Sequence, residues 1–106
     1  MKIYGIKTCD TCRKAIKALE TAGYHVLFHD IRVDPLEIET LQRFETAFGD
    51  AIVNTRSTTW RGLSEQERGR PSLDLLSQHP TLMKRPVIEA DDLHLGWAKD
   101  VQAALI

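Results

Sequence analysis

A short strand that runs straight into two cysteines at the start of a helix constrains this chain more than any other feature. Lys2-Ile3-Tyr4-Gly5-Ile6 has strand character, and Lys7-Thr8-Cys9-Asp10-Thr11-Cys12 follows with several good helix-capping residues. The spacing predicts a helix beginning near Asp10. Its apolar positions Cys12, Ile16 and Leu19, with Ala15 and Ala22 beside them, recur at helical intervals, and Gly23 stops it. A second strand is expected over Tyr24 to Ile31, with Val26 and Phe28 on one face. Strand, helix and strand form a βαβ-like unit.

Asp34-Pro35 then supplies an expected N-cap and first-turn proline for a helix whose face is Ile38, Leu41, Phe44 and Phe48, ending at Gly49. From Asp50 to Met83 the pattern is broken but helical. Ser64-x-x-Glu67 fits a capping box, Ser72 is placed to cap a Leu73–Leu76 turn, and His79-Pro80 ends it. Residues 35–83 therefore read as a largely helical subdomain within a single domain, 1–106. Val87-Ile88-Glu89-Ala90 and Leu93-His94-Leu95, separated by Asp91-Asp92, predict a β-hairpin, and Trp97 to Leu105 a closing amphipathic helix. This order matches an α/β, thioredoxin-like fold with an all-helical insertion before the C-terminal hairpin and helix.

A chain of 106 residues can bury a core without disulfide or metal staples. With 14 Lys+Arg against 15 Asp+Glu, a net charge of −1 gives no electrostatic case for nucleic acid or an anionic membrane. Lys7, Asp10 and Arg13 interrupt any apolar signal region, and no apolar run approaches the ~18 residues of a spanning helix, so a cytoplasmic protein is expected. In that reducing compartment two closely spaced cysteines are more often catalytic or metal-binding than structural.

A cysteine between a strand and a helix faces unpaired backbone N–H groups and the positive end of the helix dipole, and both favour thiolate. Lys7 and Arg13 add positive charge, so Cys9 is the expected nucleophile, with Lys7 lowering its pKa. Cys12, one turn on, is placed to resolve a mixed disulfide formed at Cys9. Zinc is a rival reading, because Cys9-x2-Cys12-x12-His25-x3-His29 has zinc-finger spacing. A finger, however, carries its histidines on a helix. On an expected strand, His25 and His29 lie ~13 Å apart, too far to share one ion. No metal is therefore expected.

Two other segments carry chemistry. Asn54-Thr55-Arg56-Ser57-Thr58-Thr59-Trp60-Arg61 is a candidate anion-binding loop, since arginine's planar fork suits oxyanions and carboxylates. The alternative is a polar linker around a core Trp60. Arg85-Pro86 stands before the hairpin, where thioredoxin-like folds place a cis-proline opposite the reactive cysteine; Pro86 is expected cis and Arg85 to point toward Cys9. His79 and His94 read as structural.

Tyr4-Gly5-Ile6-Lys7-Thr8-Cys9-Asp10-Thr11, Phe28-His29-Asp30-x-Arg32-Val33-Asp34, Asn54-Thr55-Arg56-x-Thr58-Thr59-Trp60-Arg61 and Lys84-Arg85-Pro86 together resemble the YffB-type branch of the arsenate reductase and Spx family. The resemblance implies a monomeric, glutathione-dependent thiol reductase with no bound cofactor, using glutathione as co-substrate, with glutaredoxin as a possible further partner. It implies Cys9 as nucleophile, Arg56 and Arg85 as anion ligands, and Lys7, Thr11 and Pro86 in the binding site. A third family arginine, expected after the hairpin, is missing from Leu95-Gly96-Trp97-Ala98, which shifts the expected substrate from arsenate toward glutathione-linked thiols. Cys12 is a second departure from the glutathione-coupled reductases. A Cys-x-x-Cys pair at this place resembles the Spx regulators, redox switches that bind the RNA polymerase alpha C-terminal domain, and this is the competing expectation.

Overall fold

A computed structural model describes the whole chain, Met1–Ile106. The chain divides into two compact units, Met1–Asp34 with Arg85–Ile106, and Pro35–Lys84. No helix is long and apolar enough to cross a membrane.

The first unit is a four-stranded sheet in the order β2-β1-β3-β4. Strand β1, Lys2–Gly5, lies at its centre, parallel to β2, Leu27–Asp30, and antiparallel to β3, Val87–Glu89; β4, Leu93–Leu95, pairs antiparallel with β3. Helix α1, Asp10–Thr21, makes the crossover from β1 to β2, and α6, Lys99–Leu105, closes the chain. Alternation along β1 sends Ile3 and Gly5 to one face and Tyr4 to the other. On the first face Ile3, Leu19, Ile88, Val101 and Leu105 form a core joined by Ile16, Val26 and Trp97, so α1 and α6 share one side of the sheet.

Strand β2 is shorter than the expected Tyr24 to Ile31. The end of α1 takes up the first residues: Gly23 adopts φ 99°, and the Tyr24 N–H returns to the Leu19 carbonyl at 3.0 Å, a typical helix-terminating bond. Pairing starts only where β1 supplies a partner, at Lys2 opposite Leu27. As an edge strand, β2 leaves Phe28 39% exposed, although Val26 and Phe28 do share the face that Ile3 presents, with Val26 packed against its core. The last helix also starts later than Trp97, because Gly96, at φ 80°, turns the chain and its N–H donates to the Pro86 carbonyl at 2.8 Å.

The second unit is helical. Helix α2, Ile38–Phe48, buries Leu41 and Phe44 and stops at Gly49, whose φ of 61° only glycine tolerates readily. Its cap is Glu37, not Asp34. The Asp34 N–H closes a turn onto the Asp30 carbonyl at 2.9 Å, which leaves Pro35 outside the helix. A 3-10 turn, Gly49–Ile52, leads to α3, Thr58–Arg61; α4, Glu65–Arg68; and α5, Ser72–Gln78. The Ser64/Glu67 capping box of α4 is formed in both directions. Ser72 is the first residue of α5 rather than its cap, and its hydroxyl lies 3.3 Å from Asp50 Oδ1. A bridge between Val53 and Met83 ties the start and end of this stretch together.

Candidate active site

Cys9 is the N-cap of α1, with extended backbone (φ −81°, ψ 118°) and no side-chain capping bond. Its N–H donates to the Ile6 carbonyl at 3.0 Å and its carbonyl accepts the Arg13 N–H at 3.1 Å, so the backbone is fixed on both sides while the sulfur stays free to react. Burial alone pushes this thiol up. The Cys12 backbone N–H, the Cys12 S–H and the Arg85 guanidinium all donate toward it, and together they hold the Cys9 thiol below its ordinary value. Arg85 therefore sits beside Cys9, as expected, and the Arg85-Pro86 bond is cis.

Cys12 has the opposite environment. It is fully buried, and burial together with the neighbouring Cys9 pushes its thiol up to about 12. Both cysteines are free thiols. At neutral pH the pair is thus one activated sulfur and one protonated sulfur that donates to it. Cys12 keeps its proton in the fold well above the pH at which an unfolded thiol loses it, so the fold loses stability as the pH rises above the ordinary value of 9.0.

Two residues that sequence reasoning did not single out border this arrangement. Gly5 is the first. An alanine Cβ there would fall on Cys12 Sγ, well inside contact distance, so the end of β1 must be a glycine for α1 to come this close. Asp30, at the end of β2, is the second: its carboxylate accepts the Lys7 N–H at 2.9 Å. The Lys7, Arg32 and Val33 backbone N–H groups hold Asp30 below the usual carboxylate range. Its contribution to stability is therefore present above the ordinary value of 3.8 and is lost as the pH falls through the lower, folded-state value. Glycine inside a strand and aspartate before a turn are the available signals, but neither identifies its partner.

The remaining expected residues are placed less evenly. Lys7 is exposed and anchors the loop through its backbone; Cys12 and Arg85, rather than Lys7, carry the lowering of the Cys9 thiol. Thr11 is exposed on the first turn of α1. Pro86 is buried, and its carbonyl holds Gly96 in the segment that lacks the third arginine. Arg56 belongs to the second unit, where its N–H donates to Asn54 Oδ1 at 3.0 Å in a tight turn, and its side chain is exposed. Trp60 is half-buried and stacked under the Arg68 guanidinium at 5.5 Å, so it is not a deep core residue. His25 precedes β2, and the His29 ring donates to the Asp34 carbonyl at 2.7 Å and stacks on Tyr4. No group of three or more His, Cys, Asp and Glu side chains converges.

Replacing Arg85 by alanine is expected to raise the pH at which Cys9 forms its thiolate, because a hydrogen bond and a positive charge are removed together. Titration of the thiolate by its ultraviolet absorbance measures the shift, and an unmoved midpoint would contradict the role given to Arg85.

Known proteins resemble this chain along nearly its whole length. An uncharacterized protein of Haemophilus influenzae is 47% identical over 96% of both chains. The global transcriptional regulator Spx of Bacillus subtilis is 30% identical, covering 92% of this chain and 80% of that protein. A YffB protein of known structure superposes with a TM-score of 0.90 at 31% identity, covering 98% of this chain and 96% of that one. Residues 4–105 match the sequence profile of the ArsC family. A family profile matched over residues 4–105 and relatives along nearly the whole length lead to one assignment: the chain belongs to the ArsC family.

Proposed function

We propose that this chain is a glutathione-dependent thiol-disulfide oxidoreductase working from the Cys9 thiolate, as a monomer in the cytoplasm. The observation that carries the reading is the asymmetry of the pair, with Cys9 held below the ordinary thiol value and Cys12 pushed up to about 12. The Cys9 thiolate attacks the glutathionyl sulfur of a mixed disulfide. A Cys9–glutathione disulfide forms, the substrate sulfur–sulfur bond breaks, and the departing thiolate takes a proton from water. A glutathione thiolate then attacks the bound glutathionyl sulfur, releasing oxidised glutathione and restoring the Cys9 thiolate; glutaredoxin can supply that second thiol instead. Cys12 remains a thiol through this cycle and serves as a donor to Cys9, with disulfide formation between the two a secondary route.

Arg85 supplies a planar, bidentate contact for a glutathione carboxylate as readily as for an oxyanion. The anion-binding role of Arg56 rests on the family resemblance and is tested separately, by the glutathione KM of Arg56→Ala. Arsenate is the poorer substrate on this reading, because Leu95-Gly96-Trp97-Ala98 holds no arginine.

The test is turnover of a glutathione mixed disulfide with free glutathione, together with mass spectrometry after treatment with oxidised glutathione. A Cys9 adduct with turnover is expected; neither adduct nor turnover would sink the reading. The similarity to Spx and the Cys9-x-x-Cys12 pair favour a second reading, a redox-sensing regulator. Stable, redox-dependent capture of the RNA polymerase alpha C-terminal domain, without turnover, would put that reading first.

A further inference from the structure

The carboxylate of Asp30 divides its two oxygens between two stretches of backbone. Oδ2 accepts the Lys7 N–H at 2.9 Å, while Oδ1 accepts those of Arg32 at 2.9 Å and Val33 at 3.4 Å. Lys7 lies in the short link from Gly5, the last residue of β1, to Cys9. Two backbone bonds also hold this link: the Gly5 carbonyl accepts the Ile31 N–H at 2.9 Å, and Cys9 donates to Ile6 at 3.0 Å. Between them, the bond from Lys7 to Asp30 is the one made by a charged side chain. Bonds to ionised acceptors are roughly twice as strong as neutral ones.

We infer that Asp30 is a positioning residue for Cys9, fixing the course of the Ile6–Thr8 link and so the place of the Cys9 sulfur relative to the Cys12 N–H and Arg85. The inference rests on the reading of Cys9 as the reactive thiol. Asp30 touches no reacting atom; it acts through the Lys7 backbone. Only a carboxylate does both tasks. An asparagine has one side-chain oxygen, so whichever way its amide is turned, its NH2 faces either Lys7 N–H or the Arg32 and Val33 N–H groups, donor against donor.

The experiment is the thiolate titration of Cys9 in the full chain as wild type, Asp30→Ala and Asp30→Asn, with thermal melting of each. The wild-type midpoint is expected below the ordinary thiol value of 9.0, and both variants are expected to move it up by about half a unit, roughly a threefold change in the ionisation constant. A merely structural residue would lower the melting temperature and leave the midpoint in place, and that result overturns the inference. Should Asp30→Ala fail to fold, Asp30→Asn, which keeps one set of bonds, decides the matter. Unmoved variants against a depressed wild-type midpoint remove Asp30 alone. A wild-type midpoint at the ordinary thiol value removes the reading of Cys9, and the inference with it.

Discussion

Replacing Cys9 by serine is expected to reduce glutathione-dependent thiol transfer by at least about a thousandfold, since the hydroxyl stays protonated at neutral pH and cannot form the mixed disulfide. Loss of fold does not explain such a result. Cys9 occupies the N-cap of α1 without a side-chain capping bond, and serine is among the preferred residues there, so the variant should melt at or slightly above the wild-type temperature. Cys12→Ser is the matched control. It keeps a donor one turn along α1 and leaves the attacking sulfur in place, so partial activity is expected while glutathione resolves the intermediate. The pH profile adds a sign. The Cys9 thiol lies below its ordinary value, so the rate should rise with pH through that lowered midpoint and level off before an unperturbed thiol would ionise. Equal turnover by Cys9→Ser and wild type would end the enzymatic reading.

The second large effect is expected at a residue with no chemistry of its own. Gly5→Ala places a methyl group where Cys12 Sγ already sits, with the Cys12 Cβ also within 3.3 Å. Cys12 is fully buried, so relief requires a shift of its side chain or of α1 itself. Overpacking of this kind costs about 1–3 kcal/mol. The same movement withdraws the Cys12 N–H and S–H from Cys9, so the Cys9 thiol should titrate higher as well. The two residues should be coupled. In a Cys12→Ala background the sulfur is gone, and most of the cost of Gly5→Ala should disappear; additive losses in that double-mutant cycle would show that the contact is not the cause.

The parts of this molecule that were legible in the sequence are those set by local pattern. Helix α1 begins at Asp10 as its apolar spacing requires, although its N-cap proves to be Cys9 with no side-chain capping bond, and the hairpin strands flank Asp91-Asp92. Where an element depends on a partner, the sequence reads it less well. The start of β2 is fixed by where β1 begins to pair and by the bond from Tyr24 back to Leu19, neither of which is visible in the β-branched run that announces the strand. Asp34-Pro35 has the composition of a helix start, yet Asp34 is drawn into a turn with Asp30. The same holds at the site. Cys9 and Arg85 could be named from their positions before α1 and β3. Gly5 and Asp30 could not, because their roles lie in an approach to Cys12 and a bond to Lys7 that exist only after folding. Lys7 was the plausible local cation, but a distant residue brought in by β3 holds that position instead.

The sheet that carries Cys9 is assembled from both ends of the chain, with β1 and β2 made first and β3 added only after the whole of Pro35–Lys84. The residue that helps to ionise Cys9 is therefore synthesised long after it, immediately before β3. Until β3 pairs with β1, the nascent segment has only the Cys12 donors of its own helix to favour the thiolate. Full activation is thereby tied to completion of the fold, and a chain interrupted before Arg85 would emerge from the ribosome without the cation that completes it.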